Sequence, residues 1–339
     1  MKEIILSKAP VRICDIGGWT DTWFYPKGAI FSISINLYSH VKILPNFSKS
    51  VKIYSENLNL STEIRDFHNI KYDDNLDLLK AAVKRMSINT GIDIYVKAEA
   101  PPGCGTGTSA SVAVALIAAL AHFSDKELQK GEIADLAHKL ETEELCLESG
   151  VQDQYAAAYG GLNFMKVEYP SVKITPINID KTRLSELERQ LILVYLGSRS
   201  SNIMHKAVIS SYKKGDISTL KSLEIMKNCA YEMKELINSE NLGVIGEVMN
   251  KNWKAQKNLH PLMTNPMINE VEKLAEKYGA LGFKLNGAGG GGSATILSAK
   301  GSENKIKAKI ENAGFKVLPV KLNLNGVQTW ISKMNNNKK

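Results

Sequence analysis

The chain has 339 residues, of which 44% are hydrophobic and 23% charged; this is the composition of an ordinary globular protein and excludes a disordered or fibrous one. The formal net charge of +8 comes from scattered lysines, with no long basic run apart from the short tail at 335–339, so nucleic-acid binding is not expected. No segment of about 20 apolar residues predicts a membrane span, and the four cysteines form no CxxC pair that would indicate a zinc or dithiol site. We therefore expect a cytoplasmic protein of two domains, whose mild positive charge suits a small anionic ligand such as a nucleotide.

The first half of the chain predicts strands followed by alternating strands and helices. Residues 1–66 are interpreted as mostly strands, because apolar and polar residues alternate at 29–35 and at 41–44. The elements expected after them are a helix at 76–88, a strand at 92–98, an apolar helix at 112–121, helices at 126–148 and 151–159, and a strand at 162–167.

A polar, charged stretch at 180–189 is interpreted as the boundary between the two domains, expected at 1–180 and 190–335. The elements expected after it are a buried strand at 191–196, mainly helices at 201–278, strands at 283–285 and 294–297, a helix at 305–312 and a strand at 315–318. Strands mixed with helices without strict alternation indicate the α+β class.

The segment from Pro101 to Ser111, PPGCGTGTSAS, is the most informative motif, since it joins a predicted strand to a predicted helix. Glycines let the backbone direct several N–H groups at one point, and a helix N-terminus adds partial positive charge, so the segment predicts a phosphate-binding loop. It is neither a Walker A loop nor a dinucleotide fingerprint, which would need a third glycine where Thr108 stands. The alternative is a helix start capped by Thr108 or Ser109.

Three other segments carry candidate functional residues, and each has a plainer alternative. Residues 8–22, KAPVRICDIGGWTDT, place charges around a Gly-Gly turn, which could be a strand end with solvated charges. Residues 150–161, GVQDQYAAAYGG, could be a short helix capped by Asp153. Residues 287–292, GAGGGG, could be a flexible turn, although five glycines before an apolar strand exceed what a hairpin needs.

Together the four segments resemble, in order and spacing over residues 8–298, those of the GHMP kinase superfamily, named for galactokinase, homoserine, mevalonate and phosphomevalonate kinases. The glycine loop is similar to the family's ATP loop, with Thr106 where leucine is usual and Thr108 where serine is usual. The resemblance implies an α+β fold of two domains, an N-terminal one like domain 2 of ribosomal protein S5 and a ferredoxin-like C-terminal one.

The resemblance also implies an ATP-dependent kinase with Mg²⁺ as cofactor. Asp153 would accept the proton of the acceptor hydroxyl, Arg12 would stabilise that carboxylate and the transferred phosphoryl group, and Lys8 is a second candidate for that charge. Ser109 and Glu141 would hold Mg²⁺, which prefers oxygen ligands. The implied ATP-binding residues are Pro102, Gly103, Gly105, Thr106, Gly107, Thr108 and Ser109.

Within the superfamily, residues 150–164 resemble the branch of the D-glycero-D-manno-heptose 7-phosphate kinases, whereas Gly17–Thr22 is closer to the L-fucokinase form. Both branches imply phosphorylation of the anomeric hydroxyl of a sugar, with a heptose 7-phosphate favoured over L-fucose. Arg199 and Lys254 are candidates for binding a distal phosphate, with exposed surface charge as the alternative. The implied substrate-binding residues are Asp21, Gly18, Trp19, Gln154, Gly289, Gly290, Arg199 and Lys254.

Other functions stay open at this point. They are a galactokinase-like sugar 1-kinase, a mevalonate-type or homoserine kinase, and a sugar sensor that has kept the fold without catalysis. The intact set Arg12, Ser109, Glu141 and Asp153 disfavours the sensor. A nucleic-acid-binding module is supported only by the net charge.

Overall fold

The computed structural model describes residues 3–73, 76–198 and 202–333. Their strands are β1 (Glu3–Ile16), β2 (Lys27–Pro45), β3 (Val51–Ser55), β4 (Leu60–Ile64), β5 (Ile92–Ala98), β6 (Leu162–Glu168), β7 (Ser171–Pro176), β8 (Leu191–Tyr195), β9 (Ala280–Leu285), β10 (Ser293–Ser298), β11 (Lys316–Leu318) and β12 (Gln328–Lys333). Their α-helices are α1 (Asp77–Arg85), α2 (Thr108–Phe123), α3 (Lys130–Lys139), α4 (Gln152–Tyr159), α5 (Lys181–Gln190), α6 (Asn202–Lys213), α7 (Ile217–Leu236), α8 (Leu242–Lys257), α9 (Pro266–Lys277) and α10 (Glu303–Asn312).

The strands form two sheets. The larger has the order β12-β1-β2-β5-β3-β4, with β6 on β2 and β7 on β6. Strand β2, which is 19 residues long, changes its partner part-way, because residues 27–33 pair with β6 and residues 39–45 pair with β5. The smaller sheet has the order β11-β8-β10-β9. Most of the pairings are antiparallel and the helices are not interleaved regularly, which confirms the expected α+β class.

The apolar faces of the sheets bury separate cores. Helices α1 to α4 supply a core under the larger sheet with residues such as Ile43, Ile94 and Leu116. A second core joins that sheet to α7, α8 and the smaller sheet, through residues such as Phe31 and Met233. The last residues of β1, the glycine loop before α2 and the glycine-rich turn after β9 meet in one region, where hydrogen bonds join them.

The predicted helix at 126–148 is shorter in the structure. Helix α3 covers 130–139, and a π-helical turn at Leu140–Glu144 follows it. Beyond that turn Leu147 N–H donates to the Glu141 carbonyl at 2.8 Å, and Cys146 has a positive φ of 52°, so the chain cannot continue as a helix. The wider π-turn is often found at functional sites, and here it carries Glu141.

The polar stretch at 180–189, interpreted from the sequence as the domain boundary, forms helix α5 in the structure. Asp180 caps this helix by accepting a hydrogen bond from Arg183 N–H at 2.9 Å, and Leu187 is buried in the core between the two sheets. Strand β12 lies within the range 190–335 predicted for the C-terminal domain, yet it pairs with β1 in the larger sheet.

Candidate active site

The glycine loop ends at the N-terminus of helix α2. Gly107 is the N-cap residue with a left-handed φ of 74°, and no side-chain hydrogen bond caps the helix there. The N–H groups of the first turn have no acceptor within the helix, so those of residues 108–110 face the open end. This arrangement suits an anion and disagrees with a helix start capped by Thr108 or Ser109.

Asp153 lies in the first turn of helix α4 and forms the centre of the site. Its carboxylate accepts hydrogen bonds from Arg12, whose Nε lies 2.8 Å from Asp153 Oδ1, as does the second guanidinium nitrogen. The third nitrogen of Arg12 donates to the Gly105 carbonyl, and the Arg12 backbone N–H donates to the Thr106 carbonyl at 3.0 Å. Arg12 therefore connects β1 to the glycine loop and to α4 by hydrogen bonds.

Three consecutive residues of α4 contact three different parts of the site, because successive side chains on a helix point about 100° apart. The backbone N–H of Gln152 donates to Asp21 at 3.0 Å, and its side chain lines a cavity beside Asp21. Asp153 faces Arg12. The Gln154 side chain turns the other way and donates to Glu141 at 2.9 Å.

Two adjoining cavities meet at Asp153. The first, of about 190 Å³, is lined by residues that include Arg12, Trp19, Asp21 and Gln152. The second, of about 450 Å³, is lined by residues that include Thr108, Ser109 and Glu141. The residues that line both cavities are Gly105, Gly107, Glu148, Ser149, Asp153 and His205. One carboxylate thus faces two compartments, one of them at the open end of α2.

Asp21 is buried at the back of the first cavity. Burial is the main cause that raises its pKa to about 6, opposed by the hydrogen bond from Gln152 N–H. Gly150 must be a glycine at this point, since a Cβ there would lie 2.1 Å from Asp21 Oδ2. Asp21 is therefore held closely by the chain in the wall of the first cavity.

Two residues that line the first cavity carry buried polar atoms that have no hydrogen-bond partner in the described part of the chain. They are Trp19 Nε1, a donor, and Gln152 Oε1, an acceptor, both buried. Trp19 has a positive φ of 76° and packs edge-on against His205 with ring centroids 5.0 Å apart.

The second cavity offers oxygen ligands for a metal. The Glu141 carboxylate accepts hydrogen bonds from Ser149 and Gln154, and burial raises its pKa to about 7. No ion pair is formed by Glu141 within the described residues. The described residues contain no cluster of three or more His, Cys, Asp or Glu side chains suited to a metal. Ser109 and Glu141 fit an ion that takes its remaining oxygens from elsewhere, as Mg²⁺ bound to phosphates does.

Several predicted site residues lie elsewhere. The Lys8 ammonium lies 4.4 Å above the ring of Tyr38, away from both cavities, which does not fit a catalytic role. Lys254 is exposed on α8 and lines neither cavity. Arg199 falls outside the described residues.

Some predicted ligand-binding residues instead pack against protein. A Cβ on Gly289 would lie 2.5 Å from Met263 Sδ, and one on Gly290 would lie 2.9 Å from the Leu262 carbonyl. Both glycines therefore allow close packing, while Gly287 and Ala288 line the first cavity. Pro102, Thr106, Gly18 and Gln154 line neither cavity; Thr106 is fully buried, and a Cβ on Gly18 would lie 2.8 Å from Asp15 Oδ2.

The sequence analysis missed the cavity-lining residues Gln152, Trp23, Phe24, Glu148, Ser149 and His205. The sequence did indicate Gln152, since it directly precedes Asp153 on a predicted helix. It gave no indication of His205, because only the packing of α6 brings that residue to the cavity wall.

Comparison with known proteins decides the family. Residues 77–161 match the family described as GHMP kinases N terminal domain, and residues 233–316 match the family described as GHMP kinases C terminal. A D-glycero-alpha-D-manno-heptose 7-phosphate kinase of Campylobacter jejuni is 30% identical over 97% of this chain and 99% of its own length. The chain belongs to the GHMP kinase family. This GHMP kinase is an ATP-dependent phosphotransferase, as the sequence predicted.

Other relatives of this GHMP kinase differ in activity. A mevalonate kinase of Pyrococcus horikoshii is 30% identical over 93% of this chain and 94% of its own length. A bifunctional fucokinase/GDP-fucose pyrophosphorylase of Arabidopsis thaliana is 27% identical over 89% of this chain and 30% of its own length. The fold matches that of a D-glycero-D-manno-heptose 1-phosphate kinase of Bacteroides thetaiotaomicron, with a TM-score of 0.80, 22% identity and coverage of 98% and 100% of the two chains. Among the described residues, every helix falls short of the length and apolarity needed to cross a membrane.

Proposed function

We propose that this GHMP kinase transfers the γ-phosphoryl group of ATP to the anomeric hydroxyl of a sugar, with D-glycero-D-manno-heptose 7-phosphate as the favoured acceptor. The observation that carries the proposal is the position of Asp153, which is paired with Arg12 in the wall between a cavity at the open end of α2 and a cavity lined by Asp21, Trp19 and Gln152.

The second cavity is the proposed ATP side. The N–H groups at the start of α2 would bind phosphate oxygens, and the left-handed φ of Gly107 turns them toward the cavity. Ser109 and Glu141 would hold Mg²⁺, which when bound neutralises charge on the transferring phosphates. Gln154 and Ser149 would orient the Glu141 carboxylate by donating to it.

The first cavity is the proposed sugar side. Asp153 would accept the proton of the attacking hydroxyl or orient that hydroxyl, and Arg12 would stabilise both the carboxylate and the phosphoryl group. An anomeric hydroxyl is more acidic than an ordinary alcohol, so a carboxylate assists its deprotonation with a smaller mismatch in pKa. Asp21 and Gln152, which line this cavity beside the ring of Trp19, would offer hydrogen-bonding groups to ring hydroxyls.

The choice of a heptose 7-phosphate rests on the full-length relative with that activity and on the similarity of residues 150–164 to that branch. A distal phosphate would need a cation. Within the described lining of the first cavity, the basic side chains are Arg12, which is paired with Asp153, and His205. Arg199 keeps its proposed role as a distal clamp, whereas Lys254 is no longer proposed because of its exposed position.

An unphosphorylated deoxyhexose such as L-fucose is the second candidate, and one observation favours it. The described lining of the first cavity contains the carboxylates Asp21, Glu148 and Asp153 but no lysine, beside the aromatic rings of Trp19, Trp23 and Phe24. Carboxylates and aromatic faces suit a neutral sugar better than a second phosphate.

An ATP-consumption screen tests the proposal, with hexoses, deoxyhexoses, heptoses, their phosphates and mevalonate as acceptors and Asp153→Asn as the inactive reference. We expect turnover with heptose 7-phosphate, and phosphorus NMR of the product should show the new phosphate coupled to an anomeric proton. Coupling to a non-anomeric proton would refute the proposed position, turnover of mevalonate alone would replace the sugar class, and turnover of L-fucose alone would select the second candidate.

A further inference from the structure

The guanidinium of Arg12 lies between two carboxylates. Its Nε and one terminal nitrogen are each 2.8 Å from Asp153 Oδ1, whereas its other terminal nitrogen is 3.9 Å from Asp15 Oδ1. Arg12 and Asp15 are both buried, so neither charge is screened by bulk water. The other contacts of Asp15 therefore determine whether Arg12 binds Asp153 or Asp15.

The Asp15 carboxylate also contacts residues of the C-terminal half of the chain. Lys284 of β9 is completely buried, with Nζ 3.4 Å from Asp15 Oδ1. The backbone N–H of Gly287 lies 3.1 Å from each oxygen of the same carboxylate. Burial lowers the pKa of Lys284 and the neighbouring Asp15 opposes that effect. Strand β9 and the glycine-rich turn after it thus bring one cation and one N–H donor to Asp15.

The charges in this cluster balance in pairs, Lys284 with Asp15 and Arg12 with Asp153. Without the Lys284 charge, Asp15 would be a buried carboxylate whose nearest remaining cation in the described structure is Arg12. An unpaired buried charge is strongly unfavourable, and attraction between charges is large where water is excluded. Arg12 would then move toward Asp15 and away from Asp153.

We propose that Lys284 is a positioning residue that neutralises Asp15 and thereby keeps Arg12 bound to Asp153. The inference rests on the proposed roles of Arg12 and Asp153 in phosphoryl transfer. It gives the end of β9 a function in aligning the reacting groups.

Three variants test this inference. Lys284→Met removes the charge and keeps an unbranched side chain of similar length; we expect kcat to fall about 10- to 100-fold, as for a reacting group displaced by about 1 Å, with the KM for ATP unchanged. Asp15→Asn breaks the same ion pair from the other side but removes the competing carboxylate, so kcat should stay within about threefold of wild type. Asp15→Asn/Lys284→Met should recover kcat to the level of Asp15→Asn.

A merely structural ion pair would give a different pattern. The two single variants would lose thermal stability, yet their kcat values, measured on folded protein, would both stay near wild type or fall together. Full activity of Lys284→Met, or failure of the double variant to recover, would overturn the inference. Lys284→Gln replaces Lys284→Met if that variant does not fold. Asp153→Asn, assayed in parallel, separates this result from the proposed function, because its full activity would refute the role of Asp153 itself.

Discussion

Arg12 Nε lies 2.8 Å from Asp153 Oδ1, although 141 residues separate the two in the chain. The same guanidinium donates to the carbonyl of Gly105 in the glycine loop. One side chain of β1 therefore connects the proposed phosphate-binding loop to the proposed acceptor of the sugar proton. Loss of this connection should affect the chemical step more than the binding of either substrate.

Asp153→Asn should lower kcat by about 10²-fold or more, because the amide neither accepts the proton nor carries the charge that Arg12 pairs with. ATP affinity, measured by calorimetry, should be unchanged, since Asp153 does not bind the nucleotide in this proposal. Glu127→Gln, an exposed neutralisation after α2, is the matched control and should keep full activity. Near wild-type turnover of Asp153→Asn would contradict this role and would show that Asp153 is only a structural residue in the first turn of α4.

Gly107→Ala should weaken ATP binding and lower kcat together. A Cβ at this position would lie 3.0 Å from Asp153 Cγ and Oδ2, and φ is 74°, so the substitution disturbs both the loop and the carboxylate. Gly161→Ala is the control, because Gly161 has a similar φ of 80° but open space at its Cβ position. If calorimetry finds equal ATP affinity in the two variants, then backbone strain alone explains the effect and the loop is only a helix start.

The Gln152→Leu and Gln154→Leu variants should affect the binding of different substrates, one in each cavity. Gln152 lines the first cavity, so its loss should raise the KM for the sugar by roughly 3- to 10-fold, which corresponds to one hydrogen bond. Gln154 donates to Glu141, so its loss should instead weaken the binding of Mg²⁺ with nucleotide. Steady-state kinetics with each substrate varied in turn measure both effects. Equal changes in both KM values for either variant would contradict the assignment of the cavities.

The stability of the protein without ligands should fall as the pH rises from about 4 to 7. Burial raises the pKa of Glu141 from 4.5 to about 7 and that of Asp21 from 3.8 to about 6. In this range the folded protein binds more protons than the unfolded chain, so the free energy of unfolding decreases with pH. Thermal unfolding at several pH values measures this, and Glu141→Gln should show a smaller decrease.

Mg²⁺ with a nucleotide should reverse this trend, because a cation at Glu141 favours the charged carboxylate. The rise in unfolding temperature that the ligands cause should therefore be larger at pH 8 than at pH 6 in the wild type, and nearly independent of pH in Glu141→Gln. Equal rises at both pH values in the wild type would argue against Glu141 as a metal ligand.

The sequence by itself determined the α+β class, the family, and the glycine loop leading into α2. These features depend on local properties: the period of apolar residues, and glycines that allow a left-handed turn before a helix. The same local information predicted α4 almost to its ends, since a glycine precedes Val151 and two glycines follow Tyr159.

Only the tertiary structure decided which of the candidate side chains meet. Lys8 and Arg12 are both basic residues of β1, but four residues along a strand span about 13 Å, and a register shift between Pro10 and Val11 lies between them. Gln152 and Gln154 flank Asp153 equally in sequence, but the packing of α4 against its neighbours places Gln152 in the wall of the first cavity and directs Gln154 to Glu141. Lys284 pairs with Asp15 across 269 residues because the turn after β9 packs on the end of β1. The direction of a side chain depends on how its element packs against others, and that packing is set by contacts between parts of the chain that are far apart in sequence.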